Sequence, residues 1–149
     1  MTLQEAAARF TEKSGVEMLL TLARTPDDRL EWKPEPTTRT ALDFMRECSV
    51  HCDEWAQLLE LYSWPENFKT RVGAITNRSE AIAEMQIAVD RLAAAIRAVP
   101  DEKLDQMLKV PWEESPIAIW LTYAAGHNQY HIGQMNYIQT LYGDTGMDY

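Results

Sequence analysis

His127 and His131 are two of only three histidines in 149 residues, and they stand four apart in a stretch with helical patterning. At that spacing two imidazoles lie one turn above each other, with Cβ atoms about 5–6 Å apart. Both rings can then converge on one ion, at about 2.0–2.1 Å from each nitrogen. The ordinary reading is a pair of core histidines hydrogen-bonded to their neighbours. Two in register on one buried stripe favour a metal instead, because a buried polar group without a partner costs several kcal/mol. Such binding is expected to weaken as pH drops through the histidine range near 6.5, since the ligands must be neutral.

A catalytic or substrate-binding metal site needs three protein ligands and an open position. The third histidine, His51, lies in another helical segment, with Glu47 one turn before it and Cys48 and Cys52 flanking it. Glu47 and His51 share a side of that helix but stand one turn apart, so one ion cannot sit equally near both. His51 lies at the middle of its helix, opposite the middle of the helix that carries His127 and His131. Three imidazoles also make a common open site, so His51 is taken as the third ligand and Glu47 as the alternate. Cys48 and Cys52 could serve as soft ligands, but small cysteines on a core stripe are usually there for packing. Tyr123, Tyr130 and Gln134 are candidates to orient a ligand or a substrate.

Other chemistries lack their motifs. No Glu-x-x-His of the di-iron carboxylate bundles occurs, and Asn128 follows His127 where a zinc protease carries its general base. Gly-rich phosphate loops and a Gly-x-Ser-x-Gly elbow are missing as well.

The elements that must position these residues read as four long helices. Thr2 to Glu5 has capping-box spacing and opens a first helix to about Arg24, with Phe10, Ser14, Met18, Leu19 and Leu22 as its run. Pro34 and Pro36 force an extended loop. A second helix runs from Thr38 or Thr40 to about Tyr62, on a stripe of Leu42, Phe44, Met45, Cys48, Cys52, Trp55, Leu59 and Tyr62. Asn77 to Glu80 repeats the capping pattern and starts a third, closed by Pro100, with Ile82, Met85, Val89, Leu92 and Ile96 inward. The fourth runs from Ser115 as N-cap and Pro116 to Gly143, and its buried stripe is Ile117, Trp120, Ala124, His127, His131, Gln134, Ile138 and Leu141. With no convincing period-two strand, the expectation is an all-α, up-down four-helix bundle, one domain over residues 1–149.

A net charge of −9 argues against a nucleic-acid footprint or an anionic membrane surface. No apolar run approaches the roughly 20 residues of a membrane span, and the N-terminus has no signal-peptide pattern. Cys48 and Cys52 fit reduced thiols, and a cytoplasmic protein is expected.

Three local pieces carry a family resemblance: Trp32-Lys33-Pro34 ahead of Arg39-Thr40-Ala41-Leu42, an inward polar residue in the second helix, and His127 with His131-Ile132-Gly133-Gln134. On these the chain resembles the DinB/YfiT-like superfamily of bacterial four-helix bundles, over nearly its whole length. The resemblance implies a divalent metal, zinc or nickel, held by one histidine of the second helix and two of the fourth. It also implies a homodimer, and in several relatives a transferase, isomerase or hydrolase that uses a low-molecular-weight thiol. Counted seven residues on from Thr40, the family's second-helix ligand falls on Glu47, not on His51. The expected function is a metal-dependent, thiol-dependent transferase or hydrolase acting on a small molecule. The alternative is a non-catalytic metal-binding or stress-related homodimeric bundle.

Overall fold

The computed structural model describes residues 1–146; the last three residues of the expected domain, 147–149, lie outside it. Helix α1 spans Leu3–Arg24, and the Thr2 hydroxyl accepts the Glu5 N–H at its start. Helix α2 spans Ala41–Leu61 behind a complete capping box: the Asp43 N–H donates to Thr40 Oγ1, and the Thr40 N–H donates to Asp43 Oδ2, each at 3.0 Å. Tyr62, left-handed at φ 52°, ends it. Helix α3 spans Arg78–Ala98 under an Asn77 cap.

Beyond the short helical turn expected after Pro100, the connection departs from the expected course. A 3-10 turn at Asp101–Lys103 leads into an antiparallel hairpin, β1 (Met107–Val110) paired with β2 (Glu113–Pro116) across Pro111 and Trp112. Ser115 is therefore a strand residue and not a helix cap. The alternation that buries Leu108 and Val110 and exposes Met107 and Lys109 spans only four residues, too few to separate from a loop. The fourth helix is also split, into α4 (Ile117–Trp120) and α5 (Tyr123–Thr140). Two indoles account for the break. The Trp55 ring N–H donates to the Trp120 carbonyl at 3.2 Å, which draws that carbonyl out of the helical ladder. The Trp120 ring N–H in turn donates to Leu108 and Ser115 carbonyls at 3.3 and 3.1 Å, strapping the hairpin to the helix start. Beyond Thr140, Gly143 takes φ 92°, a conformation that only glycine adopts without strain.

The chain is mostly helical with this one small sheet. Helix α1 packs on α3 and α5, and α2 packs on the same two, so each long helix has two long neighbours. Gly15 lets α1 approach α3, because a Cβ there would stand 2.9 Å from a Val89 methyl. One apolar cluster fills the interior, drawing Met18 and Leu22 from α1, Met45, Trp55 and Leu59 from α2, and Met85, Leu92 and Ile96 from α3. Ile82, expected inward, and Phe10 are exposed.

The buried stripe of α5 is rotated from the expected one. It runs Ala124, Ala125, Asn128, His131, Ile132, Met135 and Gln139, which leaves His127 and Gln134 at its edge and Leu141 exposed. Two amides enter this stripe because partners await them. Asn128 donates to Ser14 Oγ at 3.1 Å, and Gln139 Nε2 donates to the Thr21 carbonyl at 2.7 Å and to Thr25 Oγ1 at 3.1 Å.

Candidate metal centre

The capping box fixes where α2 begins, and Glu47 and Cys48 follow in its second turn, across from the middle of α5. On α5 the Nε2 atoms of His127 and His131 face each other at 3.1 Å. Glu47 Oε1 stands 3.7 Å from the first and 3.4 Å from the second. A triangle with those three sides has a circumradius of about 2.0 Å, which is the length of a Zn–N or Zn–O bond. The donor set therefore fits one divalent ion. Cys48 is also near: its sulfur and donor nitrogens of His127 and His131 all lie within 4.8 Å of one another, so Cys48, His127 and His131 could hold a metal ion.

Neighbours fix the orientation of these donors. His131 Nδ1 lies 2.6 Å from Gln134 Oε1, so Nδ1 carries the proton and donates it, and the lone pair is left on Nε2. Gln134 Nε2 donates to the Tyr130 hydroxyl at 3.1 Å. The Arg39 guanidinium pairs with Glu47 Oε2 and turns Oε1 towards the two imidazoles.

His51 is placed differently. Its ring stacks on that of His127, with centroids 4.1 Å apart and planes 21° apart, and its other face packs on Trp55 at 4.7 Å. Its buried Nε2 has no hydrogen-bond partner among the described residues. Tyr123 stacks on Trp55 at 4.5 Å and its ring centroid is 5.8 Å from that of His51.

A cavity of about 720 Å³ opens over Glu47, His127 and His131. The loop before α2 forms one side, Phe44 contributes from α2, and Tyr130, Gly133 and Tyr137 of α5 form the other. That volume lies within the range of small-molecule sites.

Burial, and then the fields of His127 and His131, push His51 down to about 3. Burial followed by the His131 and Arg39 fields lowers His127 to about 4. His131 is also lowered, by burial first, with its Gln134 contact working the other way. All three imidazoles are thus neutral at pH 7, and the weakening of metal binding expected near pH 6.5 moves to more acid solution. Stability follows the same shifts. An unfolded histidine takes its proton near 6.5, whereas His51 and His127 do so only near 3–4, so between those values the unfolded chain binds more protons. Stability of the metal-free protein should be complete above about pH 6.5 and decline as pH falls towards 4. Urea midpoints at pH 7.5 and pH 5 that coincide would contradict this.

The sequence pattern of the DinB superfamily matches residues 11–135, which takes in α1 from Thr11 on, α2, α3, the hairpin and both α5 histidines. The chain belongs to the DinB superfamily. Among solved structures it is similar to the crystal structure of YjoA, a DinB-like protein from Bacillus subtilis, with a TM-score of 0.76. The match covers 97% of this chain and 96% of that one at 13% identity, so the likeness is one of fold. None of the curated proteins matches the chain. No helix among the described residues is long and apolar enough to cross a membrane.

Two residues beside these candidate donors are only weakly signalled in the sequence. Arg39 was read as part of a helix-start pattern, and Cys48 as packing. The pairing of Arg39 with Glu47 does not follow from spacing, since the two stand eight residues apart and Arg39 lies ahead of the Thr40 cap, outside the helix. Cys48 could be read as a soft ligand from its type and place beside His51, but a cysteine on a core stripe is ordinarily buried for its size.

Proposed function

We propose that the chain binds one divalent ion through His127, His131 and Glu47, at the floor of a cavity that takes a small molecule. The three-atom triangle carries this reading, because its circumradius equals a metal–ligand bond length while the fourth position of an ion held there would face the cavity. Two imidazoles and a carboxylate suit zinc or nickel. The ion would serve as a Lewis acid or lower the pKa of a bound thiol or water, as a transferase or hydrolase requires. Gln134 would hold the His131 tautomer, and Arg39 would hold the Glu47 carboxylate in position.

His51, the third ligand favoured on ligand chemistry, fits less well. Its ring lies nearly parallel to that of His127, so a lone pair in its plane points alongside an ion in the His127 plane and not at it. We assign it a packing role beneath His127. Metal titrations of Glu47→Ala and His51→Ala separate the two. We expect Glu47→Ala to weaken binding about 100-fold or more and His51→Ala by less than about tenfold. The reverse order would restore His51 as a ligand.

Cys48 supports a second reading, in which a thiolate replaces the carboxylate for a softer ion. Burial raises that thiol far above its ordinary range, so it stays protonated until a metal takes the proton's place. Retention of metal by Glu47→Ala together with its loss in Cys48→Ala would favour this reading. The up-down four-helix arrangement of the DinB family is part of the same proposal, with α1, α2, α3 and α5 as the four helices.

A further inference from the structure

The cavity above the imidazoles has an uneven chemistry that points to one class of small molecule. Among the described residues, its only formally charged lining groups are Arg39 and Glu47, and the rest of its wall is aromatic, aliphatic or uncharged polar. The Glu47 carboxylate meets one edge of the Arg39 guanidinium. A guanidinium has five N–H donors in a planar fork, so others remain for the cavity. Arg39 is half exposed, at 51% for its side chain, and can meet a solute at the mouth.

The opposite wall is α5. Tyr130 and Tyr137, two turns apart and 63% and 67% exposed, stand to either side of Gly133. A Cβ built on Gly133 would have no heavy atom within 4 Å. Glycine costs helix stability in an interior turn, and no close contact demands it here. Its effect is a notch between two rings, lined further along by Ile138 and Leu141.

We propose that this cavity binds a small amphipathic carboxylate, with its anionic group on Arg39 and its apolar body in the Gly133 notch between Tyr130 and Tyr137. The inference names the substrate class for the site proposed above and rests on that reading for its role in a reaction, though not for the binding itself. Charge complementarity supports an anion at this point of a chain whose net charge is −9: among the described residues Arg39 is the cavity's one cation, and its partner Glu47 turns its other oxygen away towards the imidazoles. A planar carboxylate matches the guanidinium fork better than a neutral head group does.

The test is calorimetric titration of the whole chain, metal-free and zinc-loaded, with 4-phenylbutyrate and with its neutral amide. The carboxylate should bind about 10–100-fold more tightly than the amide, the size of a charge-assisted contact. Arg39→Gln should bring the two probes within about threefold of each other. Gly133→Leu should weaken both probes by about tenfold or more and leave zinc affinity unchanged, since the new side chain fills the notch and touches no metal-binding atom. Equal affinity for the two probes in the unsubstituted protein would overturn the proposal. So would a carboxylate preference that survives Arg39→Gln, which would assign the anion to the ion, or unaltered binding in Gly133→Leu. If zinc fails to bind, the metal reading falls and the metal-free titration still decides this one.

Discussion

Replacing His127 and His131 together with alanine should reduce divalent-metal affinity by about three orders of magnitude or more, with far-ultraviolet circular dichroism little changed. Two of three donors are lost, and structural sites draw on the order of 10 kcal/mol from their full ligand set. Helical content should persist because the apolar cluster that holds α1, α2 and α3 together does not include either ring. The single changes should differ. His131 is buried, and its alanine variant leaves a cavity beside Phe44, whereas His127 is the more exposed and its loss mainly uncovers His51. Elemental analysis after dialysis against zinc gives the answer directly. A double variant that retains one ion per chain would refute the metal centre built on these residues.

The largest loss of stability is expected at a different place. Asp53 on α2 is buried at 2% exposure and bonded on every side. It pairs with Arg91 of α3, accepts Gln57 Nε2 at 3.1 Å, and accepts the Arg71 backbone N–H at 3.0 Å. Gln57 extends the clamp through the Lys69 N–H and carbonyl, at 3.0 and 3.1 Å. One carboxylate thus joins α2 to α3 and pins the connection between them. Asp53→Ala would strand a guanidinium whose side chain is only 15% exposed, and breaking a buried pair in this way costs about 3–5 kcal/mol. Arg91 keeps Glu60 at 2.8 Å, so the lower end, about 3 kcal/mol, is expected. For a chain of this length that amounts to a fall of roughly 6–12 °C in melting temperature. Asp53→Asn, which retains acceptor capacity, should lose less. A drop under about 1 kcal/mol for the alanine variant, by urea unfolding, would mean that the network contributes little.

The long helices were legible because their signals are local. Thr2, Thr40 and Asn77 each cap the helix they precede, and the α2 stripe from Leu42 to Leu59 is buried as its spacing requires. The hairpin and the split at Trp120 were not legible, because their cause is distant. A Trp55 ring N–H from a different helix takes the Trp120 carbonyl, and nothing within residues 115–125 announces it. The site shows the same division. His127 and His131 follow from their spacing alone, since both lie on one helix. The choice between Glu47 and His51 depends on the roll of α2 against α5, which a one-residue shift in stripe alters by about 100°. The observed stripe on α5 follows Asn128 and Gln139, whose buried partners Ser14 and Thr21 belong to α1.

The stacked rings beside the centre also have an optical consequence. Trp55 lies 4.7 Å from His51, and His51 lies 4.1 Å from His127, so an indole chromophore stands two rings away from the proposed ion. Trp120 and Trp112 lie 6.0 and 6.5 Å from Trp55, close enough to pass excitation to it. Trp55, which borders the imidazoles, thus shares excitation with both of these indoles. Protonation or loading of His127 alters the electronic surroundings of His51, and through it the brightness of Trp55. Occupancy can be followed in real time on unlabelled protein.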